Sequence, residues 1–291
     1  MSLRPYLTLL RPANLVTAVA DILAGASVAA ALEGSWSEAL GWLCVSTLGL
    51  YGGGVVFNDV FDLDLDRVER PERALPSGKV SLTSAILLGG LLLLGGVGVA
   101  AFAGTSSAAI ALAVALLTLL YNGWAKHQAF FGPLVMGMCR GGNLLLGISL
   151  SAAALDIFWW LSFLPVVFIG AITLTSRGEV GGQNRSSIQL ALGLDTAVAV
   201  ALLLLSRWTV FEFWPALPFL LLWYGMNLRA KVGAIRDNRP PTIKNAVKTG
   251  VISLIPLNAC LAAGFMGLPA GLVVLALLPV SYGLARYFAV T

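Results

Sequence analysis

Long apolar stretches, separated by short polar segments, run along nearly the whole chain. Each stretch has about 20 residues, the length at which an α-helix crosses a hydrocarbon layer of roughly 30 Å. None shows the strict alternation of polar and apolar residues that a membrane β-barrel strand requires. We predict ten transmembrane helices, at Asn14–Leu32, Glu38–Phe57, Thr83–Gly104, Ser106–Trp124, Phe130–Ser151, Ile157–Thr175, Ile188–Ser206, Phe211–Leu228, Val247–Phe265 and Ala270–Phe288.

The composition also indicates a membrane protein, because 58% of the residues are hydrophobic and only 11% are charged. Soluble domains carry about 25% charged residues, so this chain lacks the charges to cover a water-facing surface. We expect one all-α domain over residues 1–291, without a cleavable signal peptide. The three cysteines lie far apart inside predicted spans, so we expect neither a disulfide nor a metal site from them.

The basic residues lie almost entirely on one side of the predicted membrane. If the N-terminus is inside, all of the 18 Lys and Arg residues except Arg140 and Arg207 fall on inside segments. Positive residues mark the cytoplasmic side of membrane proteins. We therefore predict a cytoplasmic N-terminus and cytoplasmic polar loops. The net charge of +4 reflects this bias and does not indicate nucleic-acid binding.

The strongest candidate for chemistry is an aspartate-rich segment, FNDVFDLDLD, at the inside end of the second span. If the helix continues through it, Asn58, Asp62 and Asp66 share one face because they are four residues apart, and Asp59 lies beside them. Clustered carboxylates repel one another unless a cation neutralises them. Mg²⁺ prefers such oxygen ligands and often binds substrate phosphates as well. The alternative is a solvated loop that only fixes topology, although acidic residues contribute little to topology.

Basic residues follow the aspartates closely, at Arg67, Arg70, Arg73 and Lys79. They either bind phosphate groups or anchor the loop, and Arg73 is our first candidate for a phosphate contact because guanidinium matches phosphate geometry. Three nearby acidic residues are expected to be solvated bystanders, namely Asp64, Glu69 and Glu72.

The segments NDVFDLDLD and RPERALPSG resemble the first aspartate-rich motif of the UbiA superfamily of intramembrane prenyltransferases. The matching positions are Asn58, Asp59, Asp62, Asp66, Arg73, Leu75, Ser77 and Gly78, and Ala74 stands where the family usually has Pro. The likeness covers spans one to nine and implies nine helices around a lateral cavity, to which this chain adds a tenth span. It further implies that Mg²⁺ and three catalytic carboxylates, Asp59, Asp62 and Asp66, ionise a prenyl diphosphate.

A third segment, LYNGWAK at the end of span four, resembles the Tyr-x-x-x-x-Lys region of the same family. This likeness implies that Tyr121 and Lys126 lie at the mouth of the cavity, where Lys126 would bind the diphosphate as a point charge. Tyr121 is equally well explained as an aromatic anchor at the membrane interface.

The segment TSRGEVGGQNRSS stands where the family has a second motif, D-x-x-x-D. The alignment places Glu179 and Gln183 at its metal-binding positions, so one carboxylate is replaced by a neutral amide. Either the site holds one tight Mg²⁺ or Arg177 and Arg185 supply the charge of a second metal, with Arg177 near the diphosphate. SRGEVGG also resembles an EboC-like bacterial branch with an extra C-terminal span, which implies the bacterial inner membrane.

Three charged residues, Asp21, Arg140 and Asp195, lie well inside predicted spans. Ionisable groups in a membrane usually pair with one another or face a cavity. Pairing between Arg140 and Asp21 is favoured over binding of a substrate by Arg140. Asn143 and Asn258 are candidates for hydrogen bonds between helices.

The function that follows from the resemblance is transfer of a prenyl group to an acceptor. That acceptor is an aromatic ring, a quinone precursor, a cyclitol or a lipid head group. A CDP-alcohol phosphotransferase is a second enzyme class with clustered aspartates, but its D-G-x-x-A-R pattern is absent from the sequence. A transporter or a non-catalytic lipid-binding protein is the alternative from another class, and diphosphate release that depends on substrate would exclude it.

Overall fold

The computed structural model describes residues 4–179 and 181–287, and these residues form helices and turns without any strand. Two short 3₁₀ segments, Ala125–His127 and Trp159–Ser162, interrupt the α-helices. The α-helices are α1 Arg4–Leu10, α2 Pro12–Glu33, α3 Leu40–Phe61, α4 Leu63–Glu69, α5 Leu82–Ala100, α6 Thr105–Gly123, α7 Phe131–Ile148, α8 Ala152–Phe158, α9 Phe163–Ser176, α10 Arg185–Leu205, α11 Phe213–Arg236, α12 Pro240–Ile252, α13 Leu254–Met266, α14 Leu268–Leu275 and α15 Leu277–Leu284.

Every predicted span falls on one of these helices or on a pair of consecutive ones, which confirms the all-α membrane fold. Within the described residues, seven helical stretches are long and apolar enough to cross a membrane. The remaining predicted spans lie on α7, which carries Arg140, on α11, and on the shorter apolar stretch Leu268–Leu284. The last residue of the tenth predicted span, Phe288, lies outside the described residues.

The largest error in a predicted boundary is at α11, which continues to Arg236 instead of ending at Leu228. Lys231, which the sequence pattern placed in an inside loop, is therefore fully buried within the helix. Its Nζ lies 2.5 Å from Oδ2 of Asp195 on α10. In the sequence, Asp195 and Lys231 each interrupt an apolar run. In the structure the two can be buried together because their opposite charges neutralise each other.

The helix α2 lies at the centre of the bundle, where it packs against α3, α7 and α13. Two glycines allow its close approach to α7. A Cβ on Gly25 would lie 2.3 Å from the Leu144 carbonyl oxygen, and one on Gly147 would lie 2.5 Å from that of Ile22. Small residues of this kind let membrane helices pack backbone to backbone.

The predicted pairing of Arg140 with Asp21 is confirmed, at 2.6 Å between Nη1 and Oδ2. The Arg140 guanidinium also donates to the Thr17 hydroxyl. Asn143 and Asn258 both donate to the Asp21 carboxylate, at 3.0 and 2.6 Å. Asp21 therefore links α2 to α7 and α13 through buried hydrogen bonds, as expected for charged groups inside a membrane bundle.

Candidate active site

The aspartate-rich segment continues the line of α3 almost without interruption. α3 ends at Phe61 and α4 begins at Leu63, so the helix breaks only at Asp62. The backbone hydrogen bonds from Asp62 to Asn58 and from Asp66 to Asp62 keep the i to i−4 spacing, at 3.0 and 2.8 Å. Asn58, Asp62 and Asp66 therefore follow one another at one-turn intervals, as the sequence predicts.

Two of the motif carboxylates converge on the same guanidinium. Nη1 of Arg73 lies 2.7 Å from Oδ2 of Asp66 and 3.5 Å from Oδ1 of Asp59. Asp59 is also held by Nη2 of Arg11, at 2.7 Å. The side chains of Asp59 and Asp66 are only 8% and 5% exposed, so these contacts lie largely away from water and are weakly screened.

The third carboxylate, Asp62, pairs with the Lys126 ammonium at 2.6 Å. The same ammonium lies 6.0 Å from the centre of the Phe61 ring. Lys126 belongs to the 3₁₀ segment that follows α6. Its side chain reaches Asp62, at the break between α3 and α4. Beside this pair, Asn58 donates to the side-chain oxygen of Asn122 at 3.1 Å, and Asn122 in turn donates to the Gly54 carbonyl oxygen.

A cavity of about 340 Å³ opens next to these groups, between α2, α3, α6, α7, α9 and α12. Its volume falls within the range of small-molecule binding sites. The polar side chains that line it include Arg11, Tyr51, Asn58, Tyr121 and Glu179. Apolar side chains form much of the remaining wall, among them Leu50, Val55, Met136, Ile172, Val247 and Val251.

A smaller cavity of about 80 Å³ shares Tyr51, Thr118 and Cys139 with the main one and extends to Arg140. The Arg140 guanidinium lies 5.0 Å from the centre of the Tyr51 ring. Arg140 and Asn143, which both bind the Asp21 carboxylate, therefore form part of the wall of this smaller cavity.

The second motif segment brings one of its predicted ligands to the cavity. Glu179 lies in the loop after α9 and lines the main cavity. Partial burial raises the pKa of Glu179, and the positive charges of Lys244 and Arg70 offset part of that rise. A carboxyl group that is partly desolvated beside a cavity is a frequent feature of functional sites.

The other predicted residues of this segment lie on the outside. Gln183 is exposed, has a left-handed backbone with φ of 55°, and donates from its backbone N–H to the backbone carbonyl oxygen of Asn238. Arg177 is exposed and donates to the Ala129 carbonyl oxygen at 2.6 Å. Arg185 is exposed at the start of α10. None of the three lines the main cavity.

Among the described residues, no three carboxylate, thiol or imidazole side chains are gathered into a group that could hold a metal ion. The motif carboxylates instead contact basic side chains, namely Arg11, Arg73 and Lys126. The chemistry of the donors fits Mg²⁺, which prefers carboxylate and amide oxygens. The convergence of Asp59 and Asp66 on one Arg73 nitrogen also shows that these two carboxylates face a common positive charge.

Sequence reasoning did not identify Arg11 and Asn122 as site residues. Arg11 was counted among the cations that fix topology, yet it lines the cavity and pairs with Asp59. Its left-handed backbone, with φ of 45°, joins α1 to α2. Asn122 could have been found, because a buried asparagine inside an apolar helix needs hydrogen-bond partners.

The family model of the UbiA prenyltransferase family matches residues 18–242. The chain belongs to this family. The match covers the bundle from α2 into α12, including the aspartate segment, Lys126 and Glu179. This UbiA family member is an integral membrane protein with several spans, as its apolar helices also indicate.

Relatives of this UbiA family member include digeranylgeranylglyceryl phosphate synthases. The one from Methanospirillum hungatei is 29% identical over 71% of this chain and 79% of its own length. The one from Ignicoccus hospitalis is 32% identical over 62% of this chain and 58% of its own length.

Solved structures share the fold at low sequence identity. A structure from work on digeranylgeranylglyceryl phosphate synthase has a TM-score of 0.69 at 21% identity, covering 91% of this chain and 98% of the other. An Archaeoglobus fulgidus UbiA homologue bound to GPP and Mg²⁺ has a TM-score of 0.59 at 14% identity, covering 97% of this chain and 99% of the other. These likenesses establish that the bundle has the UbiA fold.

Proposed function

We propose that this protein is a Mg²⁺-dependent intramembrane prenyltransferase that moves a prenyl group from a prenyl diphosphate to an acceptor. The observation that carries the proposal is the position of the aspartate segment beside a largely apolar cavity that Asn58 and Glu179 line. Such a cavity offers polar groups for a diphosphate at one end and apolar walls for a hydrocarbon chain. The bound GPP and Mg²⁺ of the Archaeoglobus fulgidus homologue support the same pairing of ligand and metal.

The residues proposed to hold Mg²⁺ are Asn58, Asp59, Asp62, Asp66 and Glu179, with Gln183 as a weaker candidate because it is exposed. When bound, the metal would neutralise negative charge on the leaving diphosphate. Arg11, Arg73, Lys126 and Tyr121 are proposed to donate hydrogen bonds to phosphate oxygens. Arg11 and Tyr121 line the cavity, whereas Arg73 and Lys126 contact the carboxylates directly. Arg177 is a peripheral candidate, since it is exposed and bonded to Ala129.

In the proposed reaction the C–O bond of the prenyl diphosphate breaks, and its electron pair leaves with the diphosphate. The basic side chains stabilise the charge that develops on the leaving group, since hydrogen-bond donors already in place need no rearrangement during the reaction. The apolar wall, which includes Met136, Ile172 and Val251, keeps water away from the allylic carbocation. The acceptor nucleophile then forms the new bond to carbon and releases its proton.

The sequence left four classes of acceptor open, and the relatives favour one of them. The names of the relatives describe a product that contains a glyceryl phosphate group. This favours a lipid head group over an aromatic ring, a quinone precursor or a cyclitol. We further propose that the aspartate segment faces the cytoplasm, because the predicted topology places nearly all basic residues on that side.

The competing function is transport or binding of a lipid without catalysis. It is favoured by one observation, the neutral Gln183 at a position where the family has a carboxylate. Transporters usually place their binding site near the middle of the membrane. Here the three motif carboxylates lie at the end of α3 and in α4, which favours the enzyme.

The test is diphosphate release by the purified full chain in detergent, supplied with Mg²⁺ and with geranyl, farnesyl or geranylgeranyl diphosphate. We expect Asp62→Ala to lower the rate by about 100-fold or more, since it removes a carboxylate proposed to hold the Mg²⁺ that would neutralise the leaving diphosphate. Asp64→Ala is the matched control, because that side chain is 93% exposed and its one ion pair within the described residues is with Arg67. No release from the intact protein, even with a membrane extract that supplies acceptors, would favour transport or binding.

A further inference from the structure

A separate cavity of about 420 Å³ lies between α1 and the loop that joins α4 to α5. It is lined by Arg4, Thr8, Glu72, Arg73 and Lys79, together with Pro5 and Ala74. It has no lining residue in common with the main cavity. Arg73 is the only one of these residues that also contacts the motif carboxylates.

The walls of this second cavity are fixed by an apolar cluster beneath them. Leu9 of α1, Val56 of α3 and Leu75 and Val80 of the loop are buried against one another. The loop is also closed on itself, because the Val80 amide donates to the Ala74 carbonyl oxygen at 3.1 Å. α1 and the loop therefore pack against each other through apolar side chains, and the second cavity lies between them.

The cavity has an excess of positive charge. Three of its lining residues are cationic, Arg4, Arg73 and Lys79, and one is acidic, Glu72. Arg73 is already paired with Asp66. In residues 4–179 and 181–287, neither Arg4 nor Lys79 has an ion-pair partner, and both are exposed. Two cations across one cavity attract an anion that has oxygen atoms on several sides.

The cavity also lies close to the membrane surface. Arg4 belongs to the short helix that precedes the span α2, and Lys79 stands three residues before the span α5. Lipid phosphates lie at this level, and each nearby Lys or Arg contributes about 1 kcal/mol to the attraction of anionic lipids. We propose that this second cavity is a binding site for a phosphate group, either on an anionic lipid head group or as free phosphate.

The experiment uses native mass spectrometry of the intact full chain in detergent, titrated with short-chain phosphatidylglycerol or phosphatidylcholine. Inorganic phosphate is added as a competitor in a parallel series. The test variant is Arg4→Gln combined with Lys79→Gln, at two exposed positions that are not needed for packing. The matched control is Arg229→Gln combined with Lys248→Gln, which removes two cations that do not line the cavity.

We expect phosphatidylglycerol to bind more tightly than phosphatidylcholine, and the Arg4 and Lys79 double variant to lose about 25-fold in affinity, at about fivefold per charge. Glu72→Gln should instead tighten binding, because it removes the repelling carboxylate. Competition by inorganic phosphate would identify free phosphate as a ligand, and its absence would identify the lipid head group. Equal losses in the test and control variants, or equal affinity for the two lipids together with no competition by inorganic phosphate, would overturn the proposal.

Binding at this cavity does not depend on prenyl transfer. Asp62→Ala, which we expect to stop diphosphate release, should retain phosphatidylglycerol binding because Asp62 does not line the second cavity. Loss of transfer and loss of this site can therefore be observed separately.

Discussion

Arg11 is the residue whose role changes most between the sequence and the structure. Its partner Asp59 lies 48 positions later, and the side chains of the pair are 16% and 8% exposed. The contact forms because the backbone turns at Arg11 between α1 and α2. The two residues are far apart in the sequence, and their contact depends on one residue with a left-handed backbone. Neither hydropathy nor residue spacing could therefore predict it. The spacing of Asn58, Asp62 and Asp66, by contrast, is a local property of a helix and was predicted correctly.

We predict that Arg11→Gln lowers the free energy of unfolding by about 2 kcal/mol, because it leaves Asp59 with only the longer contact to Arg73. Mg²⁺ should then raise the melting temperature more in Arg11→Gln than in the intact protein, since the metal neutralises Asp59. Thermal unfolding in detergent, with a chelator and with Mg²⁺, measures both effects. Arg67→Gln is the control, because its side chain is 61% exposed and its pair with Asp64 contributes little. Equal Mg²⁺ shifts in both proteins would argue against Asp59 as a metal ligand.

Gln183 gives a second prediction at the scale of single residues. Its left-handed backbone costs about 1 kcal/mol for a side chain of this kind, a cost that glycine avoids. Gln183→Gly should therefore be neutral or slightly stabilising, while Gln183→Asp should be tolerated and should strengthen Mg²⁺ binding if this position belongs to the metal site. Calorimetric titration with Mg²⁺ measures whether either substitution changes the affinity for the metal. Unchanged affinity in both variants would remove Gln183 from the ligand set.

At the scale of elements, the contact between α2 and α7 depends on the absence of side chains at two positions. We predict that Gly147→Ala destabilises the bundle by about 3 kcal/mol, because its Cβ would lie 2.5 Å from the Ile22 carbonyl oxygen and the helices would have to separate. Gly170→Ala is the matched control in α9, where nothing lies within 4 Å of a Cβ. Unfolding in detergent should show loss of stability only in the first variant.

The helices themselves were predictable, and their ends and breaks were less so. Long apolar runs located every predicted span, because crossing hydrocarbon requires a helix in which all backbone groups are satisfied. The division into α8 and α9, α12 and α13, and α14 and α15 was not visible, because both halves of each pair are apolar. The continuation of α11 was missed because the cation of Lys231 is neutralised by a residue on another helix.

At the scale of the whole molecule, Asp21 connects the first long helix, α2, to α7 and α13. It accepts hydrogen bonds from Arg140 and Asn143 on α7 and from Asn258 on α13. Hydropathy identified these residues as exceptions inside apolar spans, and the pairing rule for membrane charges then predicted the contact between Arg140 and Asp21. The convergence of three donors on one carboxylate could not be predicted, since it depends on the tertiary arrangement of α2, α7 and α13.

We predict that Asp21→Asn destabilises the whole bundle by about 3 kcal/mol, because it leaves the Arg140 guanidinium buried without a counter-charge. Asp156→Asn, at an exposed position in α8, provides a control of the same chemistry. Chemical denaturation in detergent compares the two variants. A loss of stability that is equal in both would show that the charge of Asp21 does not stabilise the bundle.

The one-to-one balance between Asp59, Asp62 and Asp66 and their partners Arg11, Arg73 and Lys126 has a consequence for the rate of encounter. Three negative and three positive charges in short-range pairs leave little net potential at a distance. These three pairs therefore contribute little to the long-range attraction of a polyanionic substrate, which an unbalanced cluster would provide. Any dependence of its association rate on ionic strength should consequently come from the cations of this face outside the three pairs, such as Arg4 and Lys79, because salt screens only potentials that extend beyond the pairs.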